Sequence, residues 1–208
     1  MHIVMMGVQG SGKGTQSKQL SQYLNHPHIS VGDLFRDHIS RKTELGKKAK
    51  EFIDKGELVP DAIVINMVKK RLEKPDAKNG FILDGFPRNG VQLASLEYLK
   101  PVDRAILLQL DNKTAIFRLT QRIECPRCKI IYGTNRTPKI PDICDECGKP
   151  LVRRSDDQDQ DAIKKRIALY YKEIEVLVKY YEWKGVLKRI DSARSVDEVF
   201  KELKNSLK

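Results

Sequence analysis

Gly7-Val8-Gln9-Gly10-Ser11-Gly12-Lys13-Gly14-Thr15 decides how the rest of this 208-residue chain is read. An apolar run, Ile3-Val4-Met5-Met6, precedes it. A helix-like pattern from Gln16 to Leu24 follows, with Leu20, Tyr23 and Leu24 on one side. Strand, glycine loop and helix N-terminus, in that order, make a phosphate-binding loop. Glycine lets the backbone curl until several N–H groups aim at one point. The helix adds unpaired N–H groups and the positive end of its dipole. Lys13 then sets a mobile positive charge beside the β- and γ-phosphates, and Thr15 offers a hydroxyl to the Mg2+ of a bound nucleotide. The candidate ATP-binding residues here are Gly10, Ser11, Gly12, Lys13, Gly14 and Thr15. A glycine-rich turn that binds nothing is the plain alternative. Strand, spacing and lysine together argue against it.

The length suits one globular domain with inserted lobes. Lys plus Arg number 39 against 28 Asp plus Glu, a formal charge of +11. That excess suits anionic nucleotides or nucleic acid. The basic residues are nevertheless dispersed along the chain, as on a solvated surface. No apolar run approaches the roughly 18 residues of a spanning helix, so no membrane association is expected. The chain enters a strand directly, without a signal-peptide pattern. A cytoplasmic monomer is the default expectation.

All four cysteines fall in Cys125-Pro-Arg-Cys128 and Cys144-Asp-Glu-Cys147, with 15 residues between the two pairs. Two such knuckles can supply four thiolates to Zn2+. A redox motif would normally be a single pair beside a thioredoxin-like pattern. Four sulfurs leave zinc no open position, so the site is expected to be structural. Tyr132, Gly133, Thr134 and Pro141 suit a small β-rich lobe with turns.

Strand and helix patterns alternate along the rest of the chain. His28 to Val31 leads into a helix carrying Asp33 and Arg36, and Gly46 to Lys55 is helical. Asp61 is placed to cap a helix running to about Lys74. Phe81-Ile82-Leu83-Asp84 reads as a buried strand whose terminal aspartate could orient Mg2+ through its waters. Ala105 to Leu110 is a further strand. The helix after it carries Arg118 and Arg122, spaced i, i+4 on one face. Ile163, Ile167, Tyr170, Ile174, Leu177 and Tyr181 stripe a long helix from Asp161. Leu187 to Ile190 is the last strand, and Val196 to Leu207 a closing helix. The fold class expected is α/β, a parallel sheet covered by helices on both faces.

Gly7 to Thr15, Ser30 to Arg36, Gly56 to Val59, Asp84-Gly85-Phe86-Pro87-Arg88 and Gln92 occur together and in order. With Gly14 between Lys13 and Thr15, the chain resembles the adenylate kinases among nucleoside monophosphate kinases, over essentially its whole length. Gln9 stands where that family usually has proline, and Val31 where it usually has threonine. The resemblance implies Mg2+-dependent, reversible transfer from ATP to AMP giving two ADP, serving adenine nucleotide homeostasis. It implies a phosphate-loop core (1–29, 60–121, 160–208), a small AMP-binding lobe (30–59) and a zinc lid (122–159). Lys13, Arg88, Arg122, Arg154 and Arg166 would be catalytic, with Arg153 the other candidate for the place of Arg154. Arg118, Arg122 and Arg194 would meet ATP. AMP would be held by Val31, Arg36, Glu57, Leu58, Val59, Gly85, Phe86, Pro87, Arg88, Gln92, Arg154 and Arg166, with Gln92 reading the adenine edge. Thr15, Asp33 and Asp84 would orient Mg2+. Two other readings stay open: a kinase of the same class with a pyrimidine acceptor, and a zinc-ribbon protein binding nucleic acid. The latter would need interleaved aromatic and basic residues near the cysteines, and Tyr132 is the one aromatic between the knuckles.

Overall fold

The structure, a computed structural model, describes residues 1–54, 57 and 59–207. Lys55, Gly56, Leu58 and Lys208 lie outside the described residues, so the expected helix end at Lys55 and the expected role of Leu58 at the AMP base are not placed. The chain runs β1 (His2–Gly7), α1 (Lys13–Leu24), β2 (His28–Ser30), α2 (Val31–Ser40), α3 (Glu44–Asp54), α4 (Asp61–Leu72), β3 (Phe81–Asp84) and α5 (Gly90–Leu99). It continues β4 (Arg104–Gln109), α6 (Asn112–Thr120), β5 (Ile123–Glu124), β6 (Ile131–Tyr132), α7 (Gln160–Trp183), β7 (Leu187–Asp191) and α8 (Val196–Ser206).

Five strands form one parallel sheet in the order β2-β3-β1-β4-β7. Side chains alternate across a strand, and here both faces are covered. Val4, Met6, Phe81, Leu83, Ala105 and Leu107 pack with α4, α5 and α7 on one face. Ile3, Met5, Ile82, Ile106 and Leu108 pack with Leu20, Val199 and Leu203 of α1 and α8 on the other. Strands buried on both faces read as unbroken apolar runs, which is how β1, β3 and β4 were visible in the sequence. Because all five are parallel, Gly7, Ser30, Asp84, Gln109 and Asp191 end them at one edge of the sheet. Ligands of open α/β sheets bind in the crevice outside that edge.

Several local expectations need correction. Asp61 does not cap α4: Pro60 holds the N-cap position, and the Asp61 side chain turns instead to Asn89 and Gln92. Helix α6 ends at Thr120, so Arg122 lies beyond it and shares no helical face with Arg118. Tyr23 is 57 % exposed, edge-on to Phe200 and under Lys204, while Leu20 alone of its expected stripe is fully buried.

Residues 122–152 make a separate small β lobe. β5 and β6 pair antiparallel, and single bridges join Glu124 to Val152 and Ile143 to Pro150. Its buried apolar cluster comprises Cys125, Tyr132, Cys144 and Leu151.

Candidate active site and metal centre

The loop after β1 curls as its glycines allow. Gly12 caps α1 at φ 89°, with open space where a Cβ would point. Gly10 has φ 86°, and a Cβ there would stand 2.8 Å from the Ala115 carbonyl oxygen, so α6 packs against the loop itself. Lys13 Nζ arches back to donate to the carbonyls of Gly7 (2.6 Å) and Val8 (3.0 Å). Burial lowers its pKa to about 8; Asp84 opposes that shift, while Arg88, Arg122 and Arg166 reinforce it. An ammonium forced to compete with three guanidinium groups for one space is a charge awaiting an anion.

Asp84 ends β3 beside this loop. Its Oδ2 lies 3.6 Å from His28 Nε2 and 3.7 Å from the point where a Gly14 Cβ would stand. Burial would raise its carboxyl, yet His28, Lys13 and Arg88 hold it below the usual carboxylate value. A cleft of about 960 Å3 opens from here. It is lined by Gly10 to Thr15, Val31, Asp33, Arg36, Glu57, Val59, Asp84, Gly85, Pro87, Arg88 and Gln92. Arg118, Arg122, Arg154, Arg166 and Arg194 line it too. Phe86 is the exception among the described candidates: it is 1 % exposed and packs in the core beneath the cleft, before a cis Phe86–Pro87 bond.

The arginines are held by acids that the sequence did not point to. Arg122 makes a bidentate pair with Asp157 at 2.6 and 2.8 Å. Arg166 donates to the Asp156 carbonyl (2.7 Å) and pairs with the carboxylates of Asp156 (3.1 Å) and Asp157 (3.4 Å). Arg154 is paired with buried Glu124, whereas its neighbour Arg153 is exposed on the cleft wall. Planar guanidinium forks fixed in this way keep donors free for phosphate oxygens. Arg88 Nε donates to the Gly85 carbonyl at 2.9 Å. Arg36 pairs with Asp33 at 2.6 Å, and this pairing pulls the Asp33 carboxyl down although burial would raise it. Arg118 donates to the carbonyls of Ser192 and Ala193, pinning the turn between β7 and α8. Arg194, in that turn, reaches the Asp191 carbonyl and Glu202. Lys18 on α1 donates to the Lys129 carbonyl just after the first cysteine knuckle, joining the core to the cysteine lobe. The signal for the acids was the run Asp156-Asp157 after Arg154, which no local pattern explains.

The four cysteine Sγ atoms all lie within 4.8 Å of one another. A zinc tetrathiolate with bonds of about 2.3 Å has sulfur–sulfur edges of about 3.8 Å, and Cys125 and Cys147 stand 3.5 Å apart. The Cys128 N–H donates to Cys125 Sγ, and the Tyr132 hydroxyl donates to Cys144 Sγ at 3.6 Å. Desolvation opposes ionisation of Cys144, but the N–H groups near Glu146 and Cys147 and the Tyr132 hydroxyl bring it down to about 6. Cys128 is pushed up to about 12, mainly by its sulfur neighbour Cys147. One thiolate forms readily and the next is opposed, which a divalent cation among them reverses. The donor set fits a closed tetrahedral metal site.

The family model described as Adenylate kinase matches residues 5–186. An adenylate kinase of Clostridium acetobutylicum is 43 % identical over all of this chain and 99 % of its own length. One from Caldanaerobacter subterraneus subsp. tengcongensis is also 43 % identical, over all of this chain and 96 % of its own. One from Archaeoglobus fulgidus is 40 % identical across 98 % of this chain and 96 % of its own. On the family match and these full-length likenesses, the chain belongs to the adenylate kinase family.

Proposed function

We propose that the protein catalyses reversible, Mg2+-dependent phosphoryl transfer from ATP to AMP, yielding two ADP, and so balances adenine nucleotides. One observation carries the reading. Lys13, Arg36, Arg88, Arg122, Arg154 and Arg166 converge on a single cleft that opens on the glycine loop. Phosphoryl transfer needs little covalent help from a protein. It needs alignment and the neutralisation of charge on the moving group. The loop N–H groups, Lys13 and Arg118 would hold the phosphates of ATP, with the turn at Arg194 flanking its base. Arg36 and Arg88 would hold the AMP phosphate, and Val31, Glu57, Val59, Gly85 and Gln92 its nucleoside. Arg122, Arg154 and Arg166, which line the same cleft, would bear on the transferred group. Thr15 and Asp84 suit Mg2+, which neutralises phosphate charge when bound. Asp33 is engaged by Arg36 and is the weaker third candidate.

The four cysteines would hold Zn2+ as a staple for the lid, with no part in the chemistry. Lid and AMP lobe would close to exclude water, which would otherwise compete as acceptor. A cytoplasmic monomer acting on ATP, AMP and ADP, with no nucleic acid or membrane partner, is the simplest setting. The test offers AMP, CMP, UMP and GMP with Mg-ATP and separates the products. AMP is expected to be turned over fastest. A pyrimidine monophosphate matching it would replace adenylate with a pyrimidine acceptor.

A further inference from the structure

Gln92 faces the cleft but is only 1 % exposed, and both ends of its amide are held. Its Oε1 accepts from the Arg88 N–H at 2.8 Å, and its Nε2 donates to Asp61 Oδ1 at 2.7 Å. Asn89 closes the arrangement. Its Nδ2 donates to both Asp61 oxygens at 3.0 and 3.1 Å, while its Oδ1 accepts the Gln92 N–H at 3.0 Å and caps α5. Asp61 sits in the first turn of α4, where the helix dipole favours its negative charge.

These partners leave the amide one orientation. A carboxylate only accepts and a backbone N–H only donates. Turning the Gln92 amide by half a rotation would set NH2 against N–H and oxygen against carboxylate. A held amide still has a second lone pair on Oε1 and a second N–H on Nε2 for a ligand. A 6-aminopurine presents an N6–H donor beside the N1 acceptor, which matches an amide oxygen beside an N–H in one sense. A 6-oxopurine presents an O6 acceptor beside an N1–H donor, which needs the reverse sense.

We propose that Asp61 is a positioning residue for base selection: with Asn89 it locks the Gln92 amide in the sense that accepts a 6-aminopurine monophosphate and refuses a 6-oxopurine one. The proposal rests on the adenylate reading above. It also makes a discrimination that burial alone would not. Cytosine carries the same donor–acceptor order as adenine, so the lock disfavours IMP and GMP but is indifferent between AMP and CMP.

The experiment measures kcat and KM for AMP, IMP and CMP with Mg-ATP on the parent chain, Asp61→Asn and Asn89→Ser. In Asp61→Asn the new amide can donate to a reversed Gln92 oxygen, so the lock loses one anchor. The IMP-to-AMP ratio of kcat/KM is expected to rise about tenfold, the scale of one hydrogen bond to a charged group. The rise comes through KM, and the CMP-to-AMP ratio stays at the parent value. Asn89→Ser keeps a capping oxygen for α5 but removes the donation to Asp61, and is expected to move the same ratio less. An unchanged IMP-to-AMP ratio in Asp61→Asn overturns the lock. So does a joint rise for IMP and CMP, which would mean only a loosened pocket. If Asp61→Asn fails to bind ATP and is judged misfolded, an unchanged ratio in Asn89→Ser overturns it instead. A parent that does not prefer AMP defeats the adenylate reading, whereas a parent that prefers AMP with unmoved ratios defeats the lock alone.

Discussion

Strand β1 lies between two apolar layers, with Ile3, Val4, Met5 and Met6 all nearly sealed from solvent. The small cysteine lobe buries far less. Among the described apolar residues of 122–154, only Cys125, Tyr132, Cys144 and Leu151 are buried, and two of those four are candidate metal ligands. The sheet is therefore stable through area removed from water, with Leu-to-Ala changes in such a core costing about 2–5 kcal/mol each. The cysteine lobe has too little such area to fold by itself, and under the proposed reading metal–thiolate bonds would make up the difference. The two regions would also divide the proposed chemistry. The glycine loop and Asp84 sit at the sheet edge, while Arg154 follows the cysteine lobe and is held by Glu124, next to Cys125.

The largest test of that division is Lys13→Met. It removes a positive charge from the place where phosphate charge redistributes, and turnover should fall by at least about 100-fold, the scale of one positioned electrostatic group. Lid folding and zinc content should not change. Near-normal kcat would take the loop lysine out of the chemistry.

A smaller effect should follow pH. Lys13 in the free protein titrates at about 8 rather than at the ordinary 10.5. Bound phosphate favours the cation, so binding above that pH must draw a proton from solution. ATP affinity should weaken by up to about tenfold per pH unit above 8, as one coupled proton requires. Calorimetry in buffers of differing ionisation heat should register proton uptake at pH 9 and little at pH 6.5. The sign for stability is opposite. A depressed lysine leaves the fold with fewer protons than the unfolded chain between about 8 and 10.5, so rising pH across that window favours the folded, ligand-free protein. Uptake that persists unchanged in Lys13→Met would assign the titration elsewhere.

The smallest effect on turnover belongs to the metal. Unfolding with chelator and refolding metal-free should leave the sheet's melting unchanged and lower the melting of the lid. Phosphoryl transfer should survive at temperatures where the lid still folds. Metal analysis of the intact protein should find about one zinc per chain. A fully folded metal-free protein with no activity, restored at once by zinc, would erase the contrast between the two regions.

How legible each region was depended on how local its determinants are. β1, β3 and β4 announced themselves because strands covered on both faces carry continuous apolar runs. The glycine loop and the cysteine knuckles were readable because backbone conformation and metal geometry fix their spacing. Pairings across the chain were not. Arg122 and Asp157 are 35 positions apart, and Lys18 and Lys129 are 111 apart, so no sequence window contains either pair. Asp61 misled because the local rule for a helix start describes it well, yet its carboxylate found better donors in Asn89 and Gln92. The i, i+4 spacing of Arg118 and Arg122 misled in the same way, since α6 ends between them.

Lys165 on α7 meets Glu57, which follows α3 and lines the cleft, at 2.9 Å, with both side chains more than two-fifths exposed. An exposed pair of this kind is worth between about 0 and 1 kcal/mol, comparable to the thermal energy of a single collision with solvent. Such a clasp sets a shallow well rather than a latch. Ionic strength alone, by screening it, should weaken this tie between α7 and the segment after α3. Added salt should therefore loosen this contact well before it disturbs the buried Arg122–Asp157 pair.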